Sequence, residues 1–182
     1  MQKLFPTTIR KGPTGDRSFT FVISTGEVDR DNDTVNPNGW DLEHYLRNPI
    51  VAWSHDYTKP PVARCTSIGV QGNALVAVAE FPPPGLYDLA DTVYDLLSTG
   101  FLHATSVGFK PIEQTYNTTR GGQDITRQEL LEFSIVSIPS NPDALMAARG
   151  LCDRTAIQKW FNQGKESVMS HTQRENWLST LR

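Results

Sequence analysis

Apolar residues come in short runs broken by proline, glycine and asparagine, a pattern that predicts many short strands and few helices. Residues 18–24, Ser-Phe-Thr-Phe-Val-Ile-Ser, form a β-branched and aromatic run that predicts a first strand. Asn36-Pro37-Asn38-Gly39 is a turn signal, and residues 40–45 could make a short helical turn. Residues 50–55 read as a second strand. Residues 62–70 and 74–81 flank Gln71-Gly72-Asn73 as a hairpin, which Pro82-Pro83-Pro84-Gly85 terminates. In residues 86–98 the period changes: Leu86, Leu89, Ala90, Val93, Tyr94, Leu96 and Leu97 make a stripe at helical spacing, with Gly100 as its left-handed stop. Residues 103–111 and 125–139 return to strand, with an exposed turn at 117–122 between them. Past Pro139-Ser-Asn-Pro142, residues 143–149 are expected to begin a helix. Two short amphipathic helices are expected to close the chain, the second opened by the capping box Thr172-Gln-Arg-Glu175.

The expected architecture is mainly β: an antiparallel sheet of six or seven strands closed into a barrel, which removes exposed edges, with one central helix and a helical C-terminus. Residues 1–17 read as an N-terminal extension, 18–149 as the barrel domain and 150–182 as a helical tail. The length of 182 residues allows one domain, two at most, with a core that needs no staples.

Composition removes several function classes. Seventeen basic and twenty acidic residues leave a net charge of −3, so neither nucleic acid nor an anionic membrane is an expected partner. No apolar run is long enough to span a bilayer, and the start Met1-Gln-Lys-Leu-Phe-Pro6 has no apolar signal core, so the sequons at Asn32 and Asn117 carry little weight. Cys65 and Cys152 are too few for a disulfide framework and are read as reduced thiols. Asp29-x-Asp31-x-Asp33 starts like a calcium loop, but the turn glycine and terminal glutamate are replaced by Thr34 and Trp40, which favours a solvated acidic turn. His44, His55 and His103 lack metal-ligand spacing. Ala104-Thr-Ser-Val-Gly108 approaches a nucleophile-elbow motif, yet the helix precedes the serine and strand follows it, so an α/β-hydrolase is rejected. No cofactor or metal is expected.

Three apolar strands each carry one polar residue that a plain core strand would not choose. His55 ends one, Ser106 sits among small residues in the second, and Glu132 interrupts the third. A hydroxyl, a base and an orienting carboxylate are the parts of a nucleophilic hydrolase. Strand alternation puts Ala104, Ser106 and Gly108 on one face, the small neighbours leaving the hydroxyl open, and likewise Glu132 with Ser134. In a continuing strand Asp56 would point away from His55, which makes Glu132 the better partner. From spacing alone, a structurally satisfied serine and a surface histidine remain the more common outcome.

At these residues the chain resembles the prohead (capsid maturation) serine proteases of tailed bacteriophages. Gly39-Trp-Asp-Leu, then Asn48-Pro-Ile-Val-Ala-Trp-Ser-His-Asp56 and Pro60-Pro-Val-Ala-Arg64, resemble the family's histidine motif. Thr105-Ser-Val-Gly-Phe109 resembles its serine motif, and Leu131-Glu-Phe-Ser-Ile-Val-Ser-Ile-Pro-Ser-Asn-Pro142 its third segment. The resemblance covers residues 18–149 and implies a fold similar to herpesvirus assemblins. It implies Ser106 as nucleophile, His55 as general base and Glu132 as the acid, with Ser134 as a structural or secondary partner. It further implies an endopeptidase acting inside the assembling prohead in the host cytoplasm. Its substrates would be scaffold protein, the scaffolding segment of the capsid protein, or this chain itself. Self-association is a further expectation; Trp160, Phe161 and Trp177 of the tail would serve either that or core packing. Oxyanion donors are sought near Val107-Gly108 or in residues 139–141. The rival readings are a non-catalytic capsid-associated barrel, a hydrolase of small esters, and a metal hydrolase using His55 and Asp56.

Overall fold

The computed structural model describes residues 17–149. Both the expected N-terminal extension, apart from Arg17, and the expected tail helices lie outside the described residues. Within them the chain is mainly β, with one α-helix. β1 (Ser18–Thr25) is followed by the two-residue strands β2 (Thr34–Val35) and β3 (Trp40–Asp41), then β4 (Ile50–Trp53). The hairpin β5 (Ala63–Gln71) and β6 (Ala74–Glu80) precedes α1 (Asp88–Ser98), and β7 (Ala104–Asn117), β8 (Gly122–Val136) and β9 (Met146–Arg149) complete the sheet.

The sheet is mixed, not antiparallel throughout, and it does not close into a barrel. Its strand order is β2-β8-β4-β5-β6-β1-β9, with β3 and β7 also on β8. β2, β3 and β4 all pair with β8 in parallel. The expectation of an antiparallel barrel fails because the long connections after β1 and through residues 42–49 bring these strands back in the direction of β8 rather than against it. Among the described residues no ladder joins the side carrying β9 to the side carrying β7; they meet at the isolated bridge of Ala104 with Leu145 and at hydrogen bonds such as Thr105 N–H to the Ala144 carbonyl at 2.9 Å and Thr105 Oγ1 to the Val22 carbonyl at 3.1 Å.

β8 organises the functional half. β7 runs antiparallel along it from Ala104↔Val136 to Asn117↔Gly122, while β2, β3 and β4 follow one another along its other edge. β7 runs on past the expected strand to Asn117, and β8 starts earlier than expected, at Gly122, and ends earlier, at Val136; polar residues such as Gln114 and Thr115 still find ladder partners across the hairpin.

Phe19, Phe21, Ile23, Leu75, Phe133 and Ile135 are fully buried and form the core with the Ala90, Val93 and Leu97 stripe of α1. Leu86, expected in that stripe, lies before the first helical turn and is exposed. Gly100 takes the left-handed conformation expected of it, φ 81°, and the chain closes on the helix through Phe101 N–H to the Leu96 carbonyl at 2.8 Å. Arg17 stacks 3.9 Å over the Tyr94 ring and pairs with Asp91, tying the start of β1 to α1.

One expected element changes type. Residues 143–149 were expected to start a helix, from the helix-favouring Ala-Leu-Met-Ala-Ala run. Instead Met146–Arg149 is β9, antiparallel to β1. The free edge of β1 supplies backbone partners that outweigh a few tenths of a kcal/mol of propensity per residue (about that size).

Candidate active site

β4 and β7 flank the same stretch of β8. Ala52 is level with Ser134 on one side, and Ser106 is level with Ser134 on the other. Gly108 is level with Glu132. Directly opposed residues share a face, so Ser106, Gly108, Glu132 and Ser134 point together, away from Phe133 and Ile135, which enter the core. Glu132 and Ser134 are nevertheless buried, at 4% and 0% exposure.

The cover comes from the turn after β4. β4 ends at Trp53, and Ser54 and His55 take φ of 51° and 56°, the left-handed region that costs a non-glycine residue about 1–2 kcal/mol. The Asp56 N–H closes this turn on the Trp53 carbonyl at 2.9 Å. Strain of this kind persists only where surroundings enforce it. Here the Ser54 N–H donates to the Ile135 carbonyl at 2.9 Å, and the His55 N–H donates to Ser134 Oγ at 3.1 Å.

The imidazole is held by a carboxylate. His55 Nδ1 lies 2.7 Å from Glu132 Oε1, and the Ser134 hydroxyl donates to Glu132 Oε2 at 2.8 Å. Tyr57 OH adds a bond to Oε1 at 3.3 Å. The hydrogen bond to Glu132 raises the His55 pKa above its ordinary 6.5, against the opposing pull of burial. A carboxylate on Nδ1 fixes the tautomer that leaves Nε2 able to accept a proton. Ser106 is buried at 7% exposure, and among the described residues its hydroxyl makes no hydrogen bond.

The structure sets Glu132 rather than Asp56 against His55, and the cause is not strand alternation. The strand does not continue; a turn swings His55 onto Glu132, and Asp56 is occupied by Thr58 and by Lys59 at 3.3 Å. His44 pairs instead with Glu129 at 2.9 Å, so the histidines serve different partners. Tyr57 was not singled out from the sequence, where nothing marks it. Gly108 was read as leaving room for the Ser106 hydroxyl; what fills its space is the Glu132 side chain, since a Cβ there would lie 2.3 Å from Oε1. A glycine inside a strand signals such close approach.

A cleft of about 120 Å³ opens beside this group. Ser106, Val107 and Phe109 of β7 form one wall, and the acidic loop between β1 and β2 forms another. That loop is an Asx-type turn: Asp29 Oδ1 accepts the N–H groups of Asp31 and Asp33, both at 2.9 Å.

Comparison with known proteins adds a family. Residues 75–156 match the family model of the caudovirus prohead serine proteases, a stretch that contains Ser106 and Glu132 and begins after His55. The chain is 26% identical over 140 residues to a prohead protease of Escherichia phage T5, covering 74% of this chain and 62% of that protein. It is 28% identical over 142 residues to a capsid polyprotein of Pseudomonas phage PAJU2, covering 76% of this chain and 21% of that protein. The chain thus spans less than two thirds of the length of either relative. No solved structure matches.

Proposed function

We propose that this relative of the caudovirus prohead serine proteases is itself a serine endopeptidase of capsid maturation, with Ser106 as nucleophile, His55 as general base and Glu132 as the group that orients it. The observation that carries the reading is the 2.7 Å hydrogen bond between His55 Nδ1 and the buried Glu132, which lies two residues along β8 from the position level with Ser106 and on the same face.

In the reaction, Ser106 Oγ attacks the carbonyl carbon of the scissile peptide bond while His55 Nε2 takes its proton. Glu132 holds Nδ1–H and stabilises the imidazolium that forms. The proton then passes to the departing amine as the C–N bond breaks, leaving an ester on Ser106. Water, deprotonated by the same imidazole, hydrolyses that ester and frees the hydroxyl. Catalytic hydrogen bonds are often absent before substrate arrives and tighten on binding, which accounts for a Ser106 hydroxyl that makes none. Backbone N–H groups near Val107-Gly108 or residues 139–141 are the oxyanion donors of this scheme, worth about 10²–10³ in rate.

The substrate we assign is scaffold protein or the scaffolding segment of the capsid protein inside the prohead, with the chain's own C-terminal tail as a further substrate. The name of the phage PAJU2 relative supports a capsid-linked role. Packing enzyme and substrate into one shell raises the effective concentration of each toward the other. The test is co-assembly with the cognate capsid protein, wild type against Ser106→Ala, read by intact-protein mass spectrometry. Loss of processing in the variant is expected. Unchanged processing removes Ser106 from the mechanism.

A further inference from the structure

Donors from β8 and from the turn after β4 hold the Glu132 carboxylate. Ser134 donates to Oε2 at 2.8 Å. Oε1 is shared: His55 Nδ1 lies 2.7 Å from it and the Tyr57 hydroxyl 3.3 Å. The side chain is only 5% exposed, so these donors stand where water would otherwise solvate the charge. Among the described residues its one ion pair is with His55. Tyr45, the other phenol that feels its charge, donates instead to the Ile50 carbonyl at 3.0 Å.

Tyr57 differs from the other two donors in its setting. The residue is 67% exposed, yet its hydroxyl reaches a carboxylate that is almost fully buried. Its ring therefore spans the distance from solvent to Glu132. The backbone on either side is clamped. The Asp56 N–H bonds the Trp53 carbonyl at 2.9 Å, and the Asp56 side chain accepts the Thr58 N–H at 3.1 Å and pairs with Lys59 at 3.3 Å. Partial burial, and then the Glu132 charge, push the Tyr57 pKa above its ordinary 10, so the phenol stays a donor through neutral pH. A hydrogen bond to the charged form of a carboxylate stabilises that charge and weakens its pull on a neighbouring proton.

We propose that Tyr57 is a positioning residue: by donating to Glu132 Oε1, the oxygen that His55 also uses, it sets how strongly the carboxylate holds the imidazole. The inference rests on the protease reading and adds a residue that tunes its general base. Removing the hydroxyl leaves Oε1 to His55 alone, while Ser134 and the space at Gly108 still fix the carboxylate. The carboxylate then bears harder on the imidazolium, which gives up its proton only at higher pH. A tyrosine that served the fold alone would lower the rate at every pH and leave that threshold where it is.

The test uses the full-length chain and a fluorophosphonate probe, which reports the reactivity of a serine without a chosen peptide sequence. The second-order labelling rate is measured against pH for wild type, Tyr57→Phe and Tyr57→Ala. In Tyr57→Phe the acid limb is expected to move up by about half a pH unit, the scale of one long neutral hydrogen bond. Labelling below the limb then falls about threefold, and the plateau above it changes by less than about twofold. Tyr57→Ala admits water in place of the ring, and water replaces the lost donor, so its limb should lie below that of Tyr57→Phe. A limb that stays in place or moves down in Tyr57→Phe overturns the proposal, as does an equal loss at every pH, or a Tyr57→Ala limb level with that of Tyr57→Phe. If wild type takes no label, or Ser106→Ala is labelled as fast, the protease reading fails separately. Tyr57 is then decided by NMR titration of the His55 ring nitrogens, comparing Ser106→Ala with the double variant Ser106→Ala, Tyr57→Phe. A higher midpoint in the double variant upholds the role, and an equal or lower one overturns it.

Discussion

The carboxylate of Glu132 occupies the space that a side chain at residue 108 would fill: a Cβ on Gly108 would stand 2.3 Å from Oε1. The obstructed atom is the end of a side chain rather than backbone, so Gly108→Ala can fold by turning the carboxylate aside. That movement breaks the 2.7 Å bond to His55. We expect kcat/KM to fall by about 10²-fold, the scale of an ångström-sized misplacement, with a change in melting temperature too small to explain it. Paired stopped-flow and calorimetry on the variant check this; undiminished turnover would detach Gly108 from catalysis.

Glu132→Gln keeps the shape and removes the charge. Because the bond to Glu132 is the largest cause of the raised His55 pKa, the acid limb of the pH–rate profile should lie above 6.5 in wild type and move to lower pH in the variant. The direction follows from the base acting in its neutral form: a raised pKa delays activity to higher pH. The rate itself should drop by about 10²–10⁴-fold, since an amide can hold the wrong tautomer. The stability effect has the opposite sense. A raised His55 pKa stabilises the fold fully below the unfolded value and loses that contribution as pH rises through the folded one. Urea melts at pH 5.5 and 8.5 on both proteins should show the wild-type advantage only at the lower pH.

Ser134 connects base and acid, accepting from the His55 N–H and donating to Glu132. It is fully buried, which argues against a role as nucleophile. Ser134→Ala should cost about 1–3 kcal/mol in urea unfolding, because a buried carboxylate and a backbone N–H each lose a partner. Activity should fall less than in Ser106→Ala, and Ser134→Thr should restore part of both quantities.

Leu97 is remote from the chemistry, 1% exposed at the core face of α1. Leu97→Ala should lose about 2–5 kcal/mol of unfolding free energy. Its kcat at a temperature where the variant stays folded should match wild type. A selective loss of kcat would mean that the helix shapes the site directly.

His55, Ser106 and Glu132 could be picked from the sequence because each is a polar interruption in an apolar strand, a departure visible without coordinates. Their grouping depended on facts that spacing does not encode. The turn at Ser54 and His55 uses left-handed backbone in residues that do not advertise it, in contrast to Gly100, whose conformation was plain. Tyr57 reaches Glu132 only because that turn exists. The parallel pairing of β4 with β8 rests on long connections, so neither the direction nor the open edge of the sheet was legible in local periodicity. The helix stripe of α1 was legible, because burial on one face writes itself into every third or fourth residue. β9 was misread because its residues favour a helix and only the waiting edge of β1 makes them a strand.

β8 holds both halves of the site, β4 on one edge and β7 on the other. The imidazole comes from residue 55 and its carboxylate from residue 132, a separation of 77 positions. A ribosome making this chain must therefore pass residue 132 before these two side chains can meet. Until then the nascent segment contains a histidine and then a serine but no assembled hydrolytic machinery. On the protease reading, order of synthesis alone would spare unfinished copies, and their neighbours, from premature cutting.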